Sequence, residues 1–172
     1  MKFDVLVIGS KPDSIMPSFL IKKIYTANGA AERAYLYQKN YYETDLTCIV
    51  GDLEFEKNIN VRKRIVAASP SRIIVRGNKI HLPTVLKKSK IEYLNAISQR
   101  KLQANFFNGG RFVVIFSEFF REKNFFLKLK YFLKKIKKFD YMGVSTGFFA
   151  ILKALEENPN SKILITGVGM SG

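Results

Sequence analysis

The sequence predicts an α/β fold in three layers, with a mostly parallel sheet between two layers of helices. Three observations predict it: short apolar runs alternate with stretches of helical periodicity, turn residues follow most of the runs, and no good hairpin turn joins one run to the next. The chain has 172 residues, of which 47% are hydrophobic and 25% charged, as in one ordinary globular domain. We therefore predict a single domain over residues 1–172.

Each predicted strand is a short apolar run, and most stop at turn residues, as the first stops at Gly9 and the third at Gly51-Asp52. Each predicted helix combines helix-forming residues with apolar side chains three or four positions apart. The strands are Lys2–Ile8, Lys23–Ala27, Thr47–Val50, Arg72–Val75, Phe112–Phe116 and Lys162–Thr166. The helices are Ile15–Leu20, Ala30–Gln38, Lys57–Ala68, Ile91–Phe106, Glu118–Lys137 and Ser145–Asn158, and residues 79–90 are irregular. This order is that of a Rossmann-like domain.

The formal net charge is +15, which favours polyanionic partners: nucleic acid, an anionic membrane surface or anionic substrates. Ile, Asn, Phe and Tyr are also frequent, a profile that an AT-rich genome produces, so codon bias accounts for part of the lysine excess. Nucleic acid is accordingly the less favoured partner.

Cysteine usage excludes two classes of protein. Cys48 is the single cysteine, so no disulfide forms within the chain, and Cys48 with His81 alone cannot assemble a zinc site. We predict neither a metal nor a cofactor.

No apolar run approaches the roughly 18–20 residues of a membrane span, and Met1–Ile8 has the pattern of a strand, not of a signal peptide. The default expectation is a cytoplasmic protein.

Small and polar residues follow several predicted strands. In a parallel sheet, ligands bind outside the carboxyl ends of the strands, where glycines admit a phosphate or ribose and Asn or Asp supplies directional hydrogen bonds. Ordinary turns use the same residues, and that interpretation stays open. The predicted nucleotide-binding residues at these ends are Gly9, Ser10, Asn28, Gly51, Asp52, Gly167, Val168 and Gly169.

A second element of the predicted site is the start of the last helix, at Ser145, Thr146 and Gly147. Ser145 or Thr146 can cap this helix, and free amides at a helix N-terminus favour an anion. A capping serine without a ligand is the alternative.

The G-x-G-x-x-G motif of dinucleotide-binding proteins is matched after the last predicted strand, at Gly167-Val168-Gly169-Met170-Ser171-Gly172. A dinucleotide fingerprint must also open a helix and precede an acidic residue about 20 positions on, whereas the sequence given ends here. The motif alone is weak evidence for a dinucleotide site, so an NAD-type enzyme is kept only as an alternative function. A second alternative, indicated by the net charge, is a basic binding module for nucleic acid or an anionic membrane surface.

Three segments together resemble bacterial CMP-dependent sialyltransferases, particularly glycosyltransferase family 42, and more distantly the animal sialyltransferases. They are the strand and loop Val5–Ser14, the strand Ile24–Gly29 that ends in Asn, and the Ser/Thr-Gly helix Gly143–Leu155 with the strand and loop Lys162–Gly169. The resemblance implies transfer of a sugar from CMP to a glycan acceptor, with inversion and without a metal. It also implies that Asn28 bonds the phosphate or sugar, that Ser145, Thr146 and Gly147 cradle the CMP, and that Gly167–Gly169 lies against the ribose.

Members of that family carry a general-base histidine and supporting tyrosines downstream of the last strand. His81 does not match that base in position, so the catalytic residues stay unassigned. We expect a chain truncated at its C-terminus that binds the donor at most and has little or no turnover. Homo-oligomerisation is left open.

The run Phe125–Lys138 predicts a basic amphipathic helix. Apolar side chains recur at helical spacing, and lysines occupy much of the remainder. The simplest interpretation is a helix that packs on the core and exposes its lysines. The functional alternative is an anionic membrane surface as partner, with the protein peripheral on the inner membrane face.

Overall fold

The computed structural model describes residues 3–11, 14–41, 43–106, 125, 126, 129 and 144–169. The chain divides into two compact units, one formed by Met1–Tyr93 with Ser145–Gly172 and the other by Leu94–Val144. The predicted α/β class with its parallel sheet is confirmed.

The described residues form a six-stranded parallel sheet. Its strands are β1 (Val5–Ile8), β2 (Lys23–Ala27), β3 (Asp45–Gly51), β4 (Arg72–Arg76), β5 (Lys90–Leu94) and β6 (Ile163–Thr166). The strand order is β5-β4-β3-β2-β1-β6. In register, Ile8 of β1 lies between Thr26 of β2 and Thr166 of β6. The four strands β1 to β4 are buried almost throughout, which explains why their sequences read as continuous apolar runs.

Five helices are described: α1 (Ala31–Asn40), α2 (Asp52–Lys57), α3 (Ile59–Ala68), α4 (Ala96–Ala104) and α5 (Thr146–Glu157). Single 3₁₀ segments cover Asn28–Ala30 and Thr84–Lys88. Helix α4 belongs to the second unit, where Asn95 caps it by accepting a hydrogen bond from the Ser98 amide at 2.9 Å.

The layers of the first unit follow from the alternation of side chains along each strand. Ile24 belongs to the apolar cluster that also contains Ala34 of α1 and Ile65 of α3. The next residue, Tyr25, points the other way and donates a hydrogen bond to Glu157 of α5. Helices α1 and α3 therefore cover one face of the sheet and α5 covers the other, which gives the predicted three layers.

Three predicted elements need correction. The expected helix over Ile15–Leu20 is not formed, and this segment is irregular. The helix predicted over Ile91–Phe106 is wrong at its start, because residues 90–94 form β5 and the helix begins only after Asn95. The expected helix over Lys57–Ala68 is interrupted at Asn58, whose side chain accepts a hydrogen bond from the Val61 amide and caps α3.

Three predictions lie wholly or largely outside the described residues: the strand Phe112–Phe116, the helix Glu118–Lys137 and the overlapping basic helix Phe125–Lys138. Of the two helices, only 125, 126 and 129 are described; they are helical, and the side chains of Phe125 and Phe126 are exposed. Among the helices that the structure describes, none has the length and apolarity needed to cross a membrane.

Candidate functional site

The strand order places a reversal of the chain between β1 and β6. From β1 the chain moves one strand at a time to β5, and it then returns to add β6 on the other side of β1. In open parallel sheets, ligands bind at the carboxyl ends of the strands on either side of such a reversal. The predicted residues Gly9, Ser10 and Gly167–Gly169 follow these two strands directly.

The loops after β1 and β6 are held against each other through their backbones. The Gly9 amide donates to the Thr166 carbonyl at 2.8 Å, and the Lys11 amide donates to the Gly167 carbonyl at 3.0 Å. A Cβ atom at position 9 would lie 2.5 Å from the carbonyl carbon of Gly167 and 2.7 Å from Cα of Val168. Gly9 is therefore required by the close approach of the two loops.

The start of α5 lies beside the loop that follows β6. Ser145 is the N-cap, since its Oγ accepts a hydrogen bond from the Phe148 amide at 3.2 Å. A Cβ atom added at Gly147 would lie 3.4 Å from a methyl group of Val168. The structure thus brings the predicted helix start and the predicted loop together.

Arg76 contributes to the same region, although it was not among the predicted site residues. This arginine ends β4 and is buried, and its Nη1 donates to Oγ1 of Thr146 at 2.9 Å. Its guanidinium lies 4.5 Å from the ring centroid of Phe149. The available signal was an arginine at the carboxyl end of an apolar strand, the same place that supplied the other predicted site residues. A guanidinium next to a helix N-terminus makes this corner favourable for an anion.

Asn28 lies at the end of β2, beside β1. Thr26 is paired with Ile8, so the chain at Asn28 continues next to the loop that begins at Gly9. Asn28 adopts a left-handed backbone conformation, with φ of 50°. Its Oδ1 atom is buried and accepts no hydrogen bond from any described residue. Such an orphaned acceptor is costly in a native protein, so a ligand that donates a hydrogen bond to it would be favoured.

Gly51 ends β3, and Asp52, the first residue of α2, contacts the turn that follows β4. One carboxylate oxygen of Asp52 accepts from the Leu53 amide at 2.7 Å, and the other accepts from the Asn78 amide at 2.8 Å. Gly77 has φ of +121°, and a Cβ atom there would collide with this carboxylate. Asp52 therefore organises the turn after β4, and within the described part of the chain its carboxylate makes no hydrogen bond or ion pair to the loops around Gly9.

Two cations border the loop after β1. The side chain of Lys11 lies over Gly169, because a Cβ atom added at Gly169 would lie 2.9 Å from the Cε atom of Lys11. Arg33 of α1 donates to the Lys11 carbonyl, which also accepts from the Ser14 hydroxyl at 2.9 Å. His81 is exposed and lies in the segment between β4 and β5.

A cluster of charged residues at the opposite end of the sheet was not predicted. Arg72, at the start of β4, makes two hydrogen bonds to the Glu157 carboxylate at 2.8 and 2.9 Å and also pairs with Glu92. Glu157 accepts a further hydrogen bond from the Tyr25 hydroxyl at 2.6 Å and lies 3.1 Å from Nζ of Lys153. The cluster borders a cavity of about 160 Å³ at the amino ends of β2, β3 and β4.

The environment of this cluster shifts its proton affinities. Burial alone would raise the pKa of Glu157, but hydrogen bonds from Arg72, Tyr25 and Lys153 outweigh it and hold the pKa at about 2. Burial and the bond to Glu157 raise the pKa of Tyr25 above its ordinary value. Because the charges pair with one another, the cluster is best explained as the attachment of α5 to the sheet.

Within the described residues, no group of three or more His, Cys, Asp or Glu side chains lies close enough to hold a metal ion.

Fold and site together define an α/β protein of the Rossmann-like class, with a glycine-lined corner at the chain reversal of its sheet. Neither the protein-family models, nor the curated proteins, nor the solved structures include a significant match to this chain.

Proposed function

We propose that this chain binds a CMP-activated sugar at the carboxyl edge of its sheet, as the donor-binding part of a sialyltransferase-like glycosyltransferase that transfers the sugar to a glycan acceptor. One observation carries the proposal: the loops after β1 and β6 meet beside the start of α5 and the guanidinium of Arg76. Loops built of glycine let a phosphate approach the backbone closely, and the helix amides with Arg76 favour its charge.

Asn28 supports a nucleoside and not a bare phosphate. Its buried Oδ1 can only accept hydrogen bonds, so it suits a ribose hydroxyl, a sugar hydroxyl or the exocyclic amine of cytosine. A phosphate oxygen that carries no proton would leave it unsatisfied.

The choice of CMP over other nucleotides depends on the resemblance of the segments around Gly9, Asn28 and Ser145 to the sialyltransferases. The proposal covers donor binding and assigns no general base. His81, which is exposed in the segment after β4, is assigned no role.

A thermal-denaturation panel tests the proposal against its two alternatives. We expect CMP to raise the melting temperature and CMP-N-acetylneuraminic acid to raise it further, since a ligand that binds only the folded state stabilises it. UDP, NAD and a short oligonucleotide should have smaller effects. Stabilisation by NAD without CMP would favour a dinucleotide enzyme instead. Preference for the oligonucleotide, with affinity falling steeply as salt rises, would favour a basic binding module.

A matched pair of substitutions locates the binding site. Asn28→Gly removes the acceptor oxygen and tolerates the φ of 50° at this position, and we expect the affinity for CMP to fall at least about tenfold because a donor of the ligand loses its partner. Asn40→Gly makes the same chemical change at the exposed end of α1 and should leave CMP binding unchanged. Both affinities are measured by titration calorimetry on proteins whose folding is checked by circular dichroism. Equal affinities of the two variants would place the nucleotide elsewhere.

A further inference from the structure

The segment between β1 and β2 exposes apolar side chains in an unusual concentration. Ile15 is 84% exposed, and Phe19 and Leu20 are also exposed. Leu36 lies opposite this segment on α1, and 55% of it is exposed. Single exposed apolar residues are ordinary, but several within one short segment and on the helix beside it form a patch. We call these four residues the apolar patch.

The segment that carries Ile15, Phe19 and Leu20 is held in place by hydrogen bonds to Tyr37 of α1 and to Tyr41, the residue after that helix. The Tyr37 hydroxyl donates to the Phe19 carbonyl at 2.5 Å and accepts from the Ile21 amide at 2.8 Å. The hydroxyl of Tyr41 donates to the Ser18 carbonyl at 2.5 Å. The ring of Phe19 also stacks on that of Phe3, with centroids 6.2 Å apart. The segment is therefore fixed to the domain with its apolar side chains facing outward.

Basic residues accompany the apolar patch along the chain and on α1. Lys11 precedes its first residue and Lys22 follows Leu20 in sequence, and Arg33 and Lys39 lie on α1. We call these four residues its basic surround. Of the acidic residues nearby, Glu32 pairs with Arg64 and Glu43 pairs with Lys22. Arg33, which borders the shallow groove between this segment and α1, has no carboxylate partner among the described residues.

Charge decides which occupant fits this surface. A second copy of the chain would bring another net charge of +15, so self-association here is opposed by electrostatic repulsion. Nucleic acid would satisfy the cations but would leave Ile15 and Leu36 in water. An anionic bilayer satisfies both, because apolar side chains enter the headgroup layer while lysine and arginine pair with lipid phosphates.

We propose that the apolar patch and its basic surround dock this protein on the surface of a membrane rich in anionic lipid. Ile15, Phe19 and Leu20 enter the headgroup layer. This surface consists of different residues from the basic helix predicted over Phe125–Lys138, and the inference does not depend on the nature of the nucleotide.

The absence of tryptophan from the sequence allows a direct test. The substitution Ile15→Trp introduces a single indole at the most exposed position of the patch. Val85→Trp is the matched control, because Val85 is 61% exposed and lies beside Lys87 and Lys88. Both proteins are mixed with vesicles of phosphatidylcholine, with and without phosphatidylglycerol.

We expect the indole emission of the Ile15→Trp protein to shift to the blue with the anionic vesicles alone, and that of the Val85→Trp protein to stay unchanged. In the tryptophan-free chain, the double substitution Ile15→Ser and Phe19→Ser should weaken co-sedimentation with these vesicles about tenfold or more, while Val85→Ser should not. Co-sedimentation without a blue shift at position 15 would mean adsorption by charge alone and would overturn the proposal. Equal shifts at both positions, or no binding to either vesicle, would also overturn it.

Discussion

At Gly9 the chain passes so close to the loop after β6 that no side chain fits between them. The obstacle is backbone, the Gly167 carbonyl carbon at 2.5 Å and the Val168 Cα at 2.7 Å from an added Cβ, and neither can rotate away. We expect Gly9→Ala to lower the free energy of unfolding by about 2 kcal/mol or more, as overpacking does. Urea denaturation measures it.

Gly51 provides the comparison, because it also ends a strand. A Cβ there would meet nothing closer than the Glu54 Cβ, at 3.7 Å, and its φ is −71°. Gly51→Ala should therefore change stability by no more than about 1 kcal/mol, its main effect being the loss of a preferred residue at the N-cap of α2. Similar losses at both positions would show that the two loops can separate at little cost.

Single residues also show how far the sequence could predict the site. The glycines after β1 and β6 were identified because a turn composition recurs after successive strands. The roles of Arg76 and Arg72 were not, because their partners Thr146 and Glu157 lie 70 and 85 positions away in the sequence. Periodicity and spacing describe neighbours along the chain, and such long-range partners are fixed only by the packing of α5 on the sheet.

Helix α5 is the element that connects the stability of the fold with the proposed anion site. Its N-cap, Ser145, satisfies an amide of the first turn, and its hydroxyl lies at the edge of the proposed nucleotide site. We expect Ser145→Ala to cost about 1 kcal/mol of stability. Ser145→Asp should keep the stability, since aspartate caps as well as serine, but should weaken CMP binding about tenfold by repelling the phosphate.

Urea denaturation and calorimetry on the two variants separate the capping role from the binding role. If Ser145→Asp binds CMP as tightly as the original protein, the anion does not lie at this helix start. If Ser145→Ala is as stable as the original protein, the cap contributes less than its geometry indicates.

Elements with strong local signals were predicted well, and those that depend on a cap were not. Strand β2 was predicted with its observed limits, and α5 within one residue at each end. The sequence Ile91–Leu94 was assigned to a helix because it continues into one, although Asn95 is a capping residue that separates the two. Asn58 separates α2 from α3 in the same manner, by capping the helix that follows it.

For the molecule as a whole, alternation of strands and helices was enough to predict the class of fold but not the order of the strands. Parallel packing follows from long connections between apolar runs. The position of β6 beside β1 depends instead on the return of the chain after β5, which leaves no local mark in the sequence. The predicted site is therefore an assembly of separately predicted parts, and the strand order determines which of them meet.

The charge cluster around Glu157 makes the stability of the whole molecule depend on pH. The pKa of Glu157 is held at about 2, below the ordinary value of 4.5, so the folded state binds this proton more weakly than the unfolded state. Its contribution to stability is therefore fully present above about pH 4.5 and is lost as the pH falls toward 2. We expect urea denaturation at pH 7, 4.5 and 3 to show progressive loss of stability below pH 4.5.

The substitution Glu157→Gln assigns this loss to the cluster. The substitution leaves Arg72 and Lys153 without their shared carboxylate, and we expect the free energy of unfolding at pH 7 to fall by about 1–3 kcal/mol. This loss is smaller than that for a fully buried pair because the Glu157 side chain is 24% exposed. Between pH 4.5 and 3 the variant should lose less stability than the original protein, because the group that titrates is gone. Glu43→Gln removes a carboxylate whose pair with Lys22 is exposed, so it should change stability by less than about 0.5 kcal/mol and leave the acid dependence intact. An unchanged acid dependence in Glu157→Gln would mean that other carboxylates govern the unfolding, and that the attachment of α5 to the sheet does not depend on this charge.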